Sequence, residues 1–273
     1  MDLIYVDQKK CTQCGICVDI CPPRIIQMEK NGPILSNPES CIACGHCVAI
    51  CPHTAINNVK TPLSNQIPLE KFPVIDSDSA YQFIRSRRSI RCYKNQKVQR
   101  DLLLKLVDIA RFAPTASNKQ GISYIIVDDT EILQKTTQMV IEWMEENQSL
   151  WWSFPIHIRA YKEHGIDGIF HSAPNLIVAT APKDFKNGRE NTILSFSYLE
   201  LFANTLGLGS AWAGLFEMCA FSNYPPLLDL LKIPESKSIT GAVMVGYPKY
   251  SFKRLVDRNP LDVTILSNDL VNN

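Results

Sequence analysis

The chain has 273 residues, with 28 lysines and arginines against 27 aspartates and glutamates, which gives a formal net charge of +1 at pH 7. This balance argues against nucleic acid or an anionic membrane as a partner of the whole chain. No stretch approaches about 18 uninterrupted apolar residues, and the N-terminus has no leader-like pattern, so we expect a cytoplasmic protein without a membrane span. The length predicts two domains.

Eight of the ten cysteines fall into two copies of one spacing. Each copy reads C-x-x-C-x-x-C-x-x-x-C-P, and the members are Cys11, Cys14, Cys17 and Cys21 in the first copy and Cys41, Cys44, Cys47 and Cys51 in the second. The copies lie 30 positions apart, which indicates an internal repeat with pseudo-twofold symmetry. This run is typical of cubane iron-sulfur sites. The alternatives are structural zinc and a disulfide framework.

The stretch from Cys11 to Cys51 resembles a bacterial two-[4Fe-4S] ferredoxin. In such ferredoxins the fourth cysteine of each run ligates the other cluster. The resemblance therefore implies two crossed ligand sets, Cys11, Cys14, Cys17 with Cys51, and Cys41, Cys44, Cys47 with Cys21. We expect His46 to be a surface residue of the cluster loop. The other two cysteines, Cys92 and Cys219, are interpreted as buried thiols in a reducing compartment.

The first elements predicted along the chain are short strands. Residues 2–7 predict a strand, and residues 25–28 with 33–36 predict a hairpin around Asn31-Gly32. From Thr61 to Pro73 three prolines and little periodicity predict an extended connector. We therefore expect a two-cluster ferredoxin domain over residues 1–62, a linker over 63–77 and a second domain over 78–273.

The second domain is predicted to be α+β, with helices packed on a mixed sheet. Asp76 or Ser77 should cap a helix that ends near residue 86, and further helices are expected at 100–112, 130–146 and 191–206. The last of these is apolar on most faces, which predicts a central position. A buried strand is expected at 124–127, an apolar strand at 176–180 and a core strand at 242–245. An irregular aromatic segment is expected between the first two strands, and an extended arm at 259–265.

Four short blocks in the second domain indicate its chemistry as a set. They are Arg87-Arg88-Ser89-Ile90-Arg91, the run 113–120 (APTASNKQ), Leu206-Gly207-Leu208-Gly209, and Val245-Gly246-Tyr247-Pro248 followed by a tail with Arg258-Asn259-Pro260-Leu261. An arginine cluster alone is most often a solvated face. The glycines near 207 follow a helix rather than a strand, so they do not predict a Rossmann site. In this order and at these separations, the blocks resemble the nitroreductase family of FMN-dependent oxidoreductases over about residues 78–273.

This resemblance implies the FMN-binding residues. Arg87, Arg88 and Ser89 stand where the family contacts the phosphate and ribityl chain, and Arg91 stands beside flavin N1 and O2. Arg258 stands where a basic residue closes over the phosphate. Arginine suits a phosphate because it forms permanently charged, bidentate hydrogen bonds. A cation beside N1 stabilises the anionic hydroquinone and raises the two-electron potential.

Two further segments complete the implied site. Pro114, Thr115, Ala116 and Asn118 match a loop that reaches the flavin from the other subunit of a homodimer. Trp212, Ala213 and Gly214 match a segment whose backbone lies along the isoalloxazine edge. The family continues the loop as N-x-Q-P with an aromatic residue, whereas here Gln120 is followed by Gly121 and Ile122.

The expected protein is an iron-sulfur flavoprotein that passes electrons from two [4Fe-4S] clusters to FMN and on to a small organic acceptor such as a nitroaromatic or a quinone. The donor is expected to be a ferredoxin-like one-electron carrier or NAD(P)H, and no side chain is needed as a nucleophile. The alternatives are a non-enzymatic electron carrier or redox sensor, and a specialised dehalogenase or flavin-modifying enzyme. The aromatic residues Trp143, Trp151, Trp152 and Phe154 either stack on a substrate or belong to the core or dimer interface. His157, His164 and His171 are not expected to be catalytic.

Overall fold

The computed structural model describes residues 3–267. Its N-terminal part contains, in chain order, β1 (Ile4–Val6), α1 (Ile16–Asp19), β2 (Ile26–Glu29), β3 (Gly32–Leu35), α2 (His46–Ala49) and β4 (Ile56–Asn58). β1 pairs with β4, and β2 pairs with β3, both antiparallel. The predicted hairpin is confirmed, but its two-residue loop is Lys30-Asn31 because Glu29 pairs with Gly32. Gly32 has φ 103, a conformation that glycine adopts without steric cost.

The core of this part is small. Its buried members are Cys21, Ile25, Ile26, Cys47, Val48 and Ile56. Two of these are cysteines of the repeat, so the cluster-binding motif is part of the core itself. A domain of this size buries little apolar surface and usually needs a metal or covalent links for stability.

The segment from residue 59 to residue 76 contains one short 3-10 turn, Leu63–Asn65, and otherwise no helix or strand. It is extended, as its prolines predict. Several of its apolar side chains are exposed, among them Ile67 at 92% and Val74 at 82%. The exact domain boundaries stay a prediction.

Among the described residues, the second part contains seven α-helices and four strands, which form one sheet. In chain order the elements are α3 (Ser77–Ser86), α4 (Arg100–Ala110), β5 (Ser123–Val127), α5 (Thr130–Glu146), α6 (Phe154–His164), β6 (Asn175–Pro182), α7 (Gly188–Thr205), β7 (Gly209–Trp212), α8 (Gly214–Phe221), α9 (Pro225–Leu230) and β8 (Lys237–Gly246). The strand order is β5-β6-β8-β7, and all three ladders are antiparallel. One parallel bridge joins Ser89 to Ser210.

Helices cover both faces of this sheet. Leu176 and Val178 of β6 pack with α5, α6, α8 and α9, while Ile177 and Ala179 of the same strand pack with α4 and α7. Successive residues of a strand point to opposite faces, so β6 and β8 must be apolar throughout. The α+β expectation is confirmed. No helix among residues 3–267 is both long and apolar enough to cross a membrane.

The prediction of an irregular segment after α5 is wrong where the chain forms α6. Pro155 lies in the first turn of α6, where proline is tolerated, and Gly165 ends the helix with φ 64. The sequence analysis also did not predict β7, α8 and α9. β7 reads Gly-Ser-Ala-Trp, which lacks the β-branched residues typical of strands.

Three burial expectations also need correction. β5 was expected to be buried, but it is an edge strand in which only Val127 is buried. α7 contacts the sheet and α4 as expected of a central helix, yet Ile193, Leu194 and Tyr198 on its other face are each more than 40% exposed. Cys219 is buried as expected, whereas Cys92 is exposed.

Candidate cofactor sites

Two cavities in the N-terminal part are each lined by four cysteines. The first is lined by Cys11, Cys14, Cys17 and Cys51. The second is lined by Cys21, Cys41, Cys44 and Cys47. The structure therefore brings the cysteines together in the crossed sets that the ferredoxin resemblance implies.

The repeat extends to the backbone conformation around these cavities. Gln13, Gly15 and Arg24 have positive φ, and so do their counterparts Ala43, Gly45 and Thr54. Left-handed residues between successive cysteines turn the chain, so that three thiols of each run face one cavity. The fourth cysteine of each run then enters the neighbouring cavity.

The thiols within each set of four cysteines affect one another's pKa. Burial, reinforced by Cys44, Cys41 and Cys21, raises the pKa of Cys47 to about 11. Burial also raises the pKa of Cys17, with the nearby thiols adding to the effect. Since thiolates bind iron, such a set ionises fully only when positive charge lies at its centre. This donor chemistry fits an iron-sulfur cluster.

Backbone and side-chain donors already reach two of the sulfurs. The amide of Ala55 donates to Cys51 Sγ at 3.3 Å, and Asn58 Nδ2 donates to Cys41 Sγ at 3.7 Å. Hydrogen bonds to the sulfurs are one way in which a protein sets cluster potential. Among residues 3–267, no three His, Cys, Asp or Glu side chains are arranged to hold a single metal ion.

The segment Arg87–Arg91 lies beside β7. The amide of Ile90 donates to the carbonyl of Ser210 at 2.9 Å, next to the Ser89–Ser210 bridge. A Cβ on Gly209 would meet Ile90 Cγ1 at 2.5 Å, so glycine is required for this close approach. The first and third of the sequence blocks are thereby held together.

A buried carboxylate that sequence reasoning missed links these blocks. Glu200 of α7 is 6% exposed, accepts hydrogen bonds from Ser210 Oγ and Trp212 Nε1, both at 3.1 Å, and lies 3.5 Å from the Arg87 guanidinium. The sequence feature that could have identified Glu200 is its position as the one acidic residue in the otherwise apolar stretch 199–202. Glu200 therefore holds the side chains of Arg87 and Trp212, two of the residues implied to lie at the flavin.

The C-terminal segment returns to the same region. The Arg88 guanidinium lies over the Phe252 ring, 5.7 Å from its centroid, and Arg85 forms an ion pair with Asp257 at 3.5 Å. These contacts place the segment that carries Arg258 beside the arginine block. Arg91 and Arg258 are both exposed. Guanidinium groups form charged, bidentate hydrogen bonds, so Arg88, Arg91 and Arg258 are donors of a type that fits a phosphate.

The loop of Pro114 to Asn118 lies between α7 and the cluster-binding part. The amide of Ala116 donates to Asn191 Oδ1 at 3.3 Å, and the amide of Gln120 donates to Thr115 Oγ1 at 3.0 Å. Asn118 Nδ2 donates to the carbonyls of Ile42 at 3.2 Å and Ala43 at 2.8 Å. The implied flavin loop thus contacts the backbone between Cys41 and Cys44.

The departure of the sequence from the family pattern after Gln120 has a steric reason. A Cβ on Gly121 would approach Phe185 Cε1 to 2.8 Å. Any larger residue at this position would displace the ring of Phe185. The loop is therefore shaped by close packing instead of by a proline.

The aromatic residues near α6 divide into two groups. Trp143 and Phe154 are buried and meet edge to face, with ring centroids 5.8 Å apart, so they are core residues. Trp151 and Trp152 are 48% and 77% exposed, so both a substrate-stacking role and a place at the dimer interface stay predictions for them.

Burial lowers the pKa values of His157 and His171.

Two family models match the chain. Residues 3–52 match the 4Fe-4S dicluster domain, and residues 84–247 match the nitroreductase family. A protein of Archaeoglobus fulgidus, provisionally named as an NADH dehydrogenase/NAD(P)H nitroreductase, is 26% identical over 183 residues, which cover 63% of this chain and 87% of that protein.

Solved structures show the same fold. A nitroreductase of Bacteroides fragilis with bound FMN gives a TM-score of 0.56 at 19% identity, covering 68% of this chain and 98% of that one. A nitroreductase of Desulfitobacterium hafniense with bound FMN gives 0.56 at 19% identity, covering 70% of this chain and all of that one. Since the nitroreductase model matches more than half of the sequence, this protein belongs to the nitroreductase family, as an oxidoreductase that also carries an N-terminal 4Fe-4S dicluster domain.

Proposed function

We propose that this protein is an iron-sulfur flavoprotein that passes electrons from two [4Fe-4S] clusters to FMN and on to a small organic acceptor. The observation that carries this proposal is the pair of four-cysteine cavities within a chain of the nitroreductase family. A one-electron carrier joined to a two-electron oxidoreductase lets electrons enter singly and leave in pairs.

The ligands of the clusters follow the two cavities. Cys11, Cys14, Cys17 and Cys51 would hold one cluster, and Cys21, Cys41, Cys44 and Cys47 would hold the other. Apolar residues line each cavity, such as Val6, Met28 and Ile56 in the first, and they shield part of the cavity from water. Burial and hydrogen bonding of this kind tune the reduction potential.

FMN would be bound by the residues gathered at β7. Arg87, Arg88, Ser89 and Arg258 would bind the phosphate and ribityl chain, and Arg91 would place a permanent positive charge beside the ring. The Pro114–Asn118 loop would reach the flavin of the other subunit of a homodimer, and the backbone of Trp212, Ala213 and Gly214 would line the isoalloxazine edge. When bound, FMN supplies the two-electron chemistry, and the protein supplies binding, orientation and electrostatics. The FMN-bound relatives of the same fold support this assignment.

The acceptor class that suits this site is a nitroaromatic or a quinone, and the donor is a ferredoxin-like carrier or NAD(P)H. The name of the Archaeoglobus fulgidus relative supports a nitroaromatic acceptor and an NAD(P)H donor. We also propose a homodimer. The exposed apolar face of α7, with Ile193, Leu194 and Tyr198, supports this because such a face is typical of a subunit interface.

Anaerobic purification tests the proposal. We expect about eight iron atoms, eight acid-labile sulfides and one FMN per chain. Turnover is then measured with a panel of nitroaromatics and quinones, each with NADH, NADPH and reduced ferredoxin as donor. Stoichiometric zinc without sulfide, or a chain that binds no flavin, would contradict the proposal.

A further inference from the structure

The contact between the Pro114–Asn118 loop and the cluster-binding part distinguishes the two cysteine cavities. Asn118 Nδ2 donates to the carbonyls of Ile42 and Ala43, which lie 76 and 75 positions away along the chain. Both carbonyls belong to the short run between Cys41 and Cys44, two cysteines of the second cavity.

The geometry commits the amide of Asn118 to this contact. A carboxamide has two N–H donors, and here each has an acceptor at 2.8 to 3.2 Å. Asn118 also has φ 52, in the left-handed region that asparagine tolerates better than most residues. Its side-chain donors are therefore directed at the cluster loop, and only Oδ1 remains for another partner.

Further contacts join the same side of the second cavity to the rest of the chain. Lys60 Nζ donates to the carbonyl of Cys41 at 3.4 Å, and a Cβ on Gly45 would touch Gln66 and Thr61 of the connector. On the other side of the loop, Ala116 is bonded to Asn191, a buried residue of α7. The second cavity is thereby linked through one loop to the core of the second domain.

The first cavity lacks this connection within the described residues. In the loop that carries Cys11 and Cys14, Gln13 Nε2 donates to the carbonyl of Lys30 at 2.9 Å, within the same domain. Cys14 is also exposed, whereas its repeat counterpart Cys44 is only partly exposed. The pseudo-symmetric sites therefore have different surroundings, one facing solvent and one facing the second domain.

We propose that Asn118 clamps the Cys41–Cys44 loop to the second domain, so that the cluster of Cys21, Cys41, Cys44 and Cys47 delivers electrons to the flavin, while the cluster of Cys11, Cys14, Cys17 and Cys51 receives them from outside. This inference rests on the proposed function. In this order a low-potential one-electron donor would reduce the cluster of Cys11, Cys14, Cys17 and Cys51, which would be reoxidised as it passes the electron to the other cluster. That second cluster would be reoxidised in turn as the electron passes to the flavin. Two such electrons, with protons from solvent, would reduce the flavin fully.

The test compares Asn118→Asp with the wild-type protein, both loaded with clusters and FMN. Aspartate has the same shape and tolerates the same backbone, but it removes both donors and sets a negative charge against two carbonyl oxygens. Asn95→Asp, an exposed site on the second domain, makes the same change of charge away from the loop and serves as control.

Hydrogen exchange is the first readout. We expect amides of residues 41–47 to exchange about tenfold faster in Asn118→Asp, as the loss of one to two hydrogen bonds predicts. Residues 11–17 should exchange as in the wild type. The second readout is rapid mixing with a one-electron donor under anaerobic conditions, in which flavin reduction should slow about tenfold while the clusters are reduced at the normal rate.

The outcomes separate this inference from the proposed function. Unchanged exchange at residues 41–47 with unchanged flavin reduction would overturn the clamp alone. Loss of FMN from Asn118→Asp with unchanged exchange would overturn it too, because Asn118 would then act on the flavin and not on the cluster loop. Failure of reduced clusters to reduce FMN in the wild type would overturn the proposed function, whatever the exchange shows.

Discussion

Replacement of Glu200 by glutamine should destabilise the second domain and disturb the cofactor site. Glu200 Oε1 accepts from Ser210 and faces Arg87, while Oε2 accepts from Trp212. A carboxamide has only one oxygen, so Glu200→Gln must either place N–H against the indole N–H of Trp212 or turn N–H towards Ser210 and Arg87. The first orientation loses the hydrogen bond to Trp212, and the second sets N–H against the Arg87 guanidinium and makes Ser210 turn its hydroxyl to accept.

The magnitude follows from the burial of this network. Glu200 and Ser210 are 6% and 3% exposed, so water does not replace the lost partner. A hydrogen bond to a buried charged group contributes about 1.5 to 3 kcal/mol. Part of this is offset because the neutral amide is easier to bury than a carboxylate. We expect a loss of about 2 kcal/mol in the free energy of unfolding.

Tryptophan fluorescence during urea unfolding measures this loss. All four tryptophans lie between residues 143 and 212, so the signal reports the second domain without the cysteine-rich part. Asp128→Asn, which breaks the ion pair with Arg100, whose side chain is 76% exposed, is the control and should cost less. A change below about 0.5 kcal/mol for Glu200→Gln would refute the reasoning, since it would mean that the buried donors do not depend on the carboxylate.

Four further predictions concern the cofactors, the domains and pH. Cys21→Ala should remove the cluster of Cys47 and spare that of Cys11, which Mössbauer and EPR spectra of the anaerobic protein would show; loss of the Cys11 cluster would contradict the crossed cavities. Arg88→Ala should weaken FMN binding by about 1.5 to 3 kcal/mol in a flavin fluorescence titration, and an unchanged Kd would remove Arg88 from the phosphate site. A chain that begins at Pro73 should still bind FMN and form the dimer but take up electrons poorly from a one-electron donor, so equal stopped-flow rates with and without residues 1–72 would exclude the clusters as the entry route. The hydrogen bonds and charge of Arg100 lower the pKa of Asp128, so this ion pair stabilises the fold fully above the ordinary aspartate pKa of about 3.9. The stabilisation is lost as the pH falls through the lowered pKa. Asp128→Asn should therefore make the free energy of urea unfolding less dependent on pH between about 5 and 2, and parallel pH profiles of the variant and the wild type would contradict this.

The sequence was most informative where a local rule decides the structure. The spacing of the cysteines anticipates both cavities, because short runs of backbone between ligands leave few ways to face them inward. Asp76 caps α3 as expected, since its carboxylate accepts from the amide of Ser79 at 2.9 Å. The helix from Thr130 to Glu146 has the predicted bounds because Asp129 caps its start in the same way.

Features that depend on contacts distant in the chain could not be foreseen. β7 is a strand because β8 pairs with it, and its own residues have little preference for extended structure. Glu200 matters because Ser210, Trp212 and Arg87 converge on it in space. The role of Asn118 at the cluster loop likewise joins positions that are 75 residues apart.

The small core of the cysteine-rich part has a consequence for how the chain is made. Synthesis proceeds from the N-terminus, and domains generally fold as they emerge. Here the cysteine-rich part is synthesised before the second domain, and its core contains only four aliphatic side chains and two of its own cysteines, so it gains its stability only when cofactor assembly is complete. The later segment, with a two-faced sheet and large aromatic residues, can fold at once. We therefore expect the part synthesised first to mature last, and cells starved of iron to accumulate a half-folded protein whose connector is open to proteases.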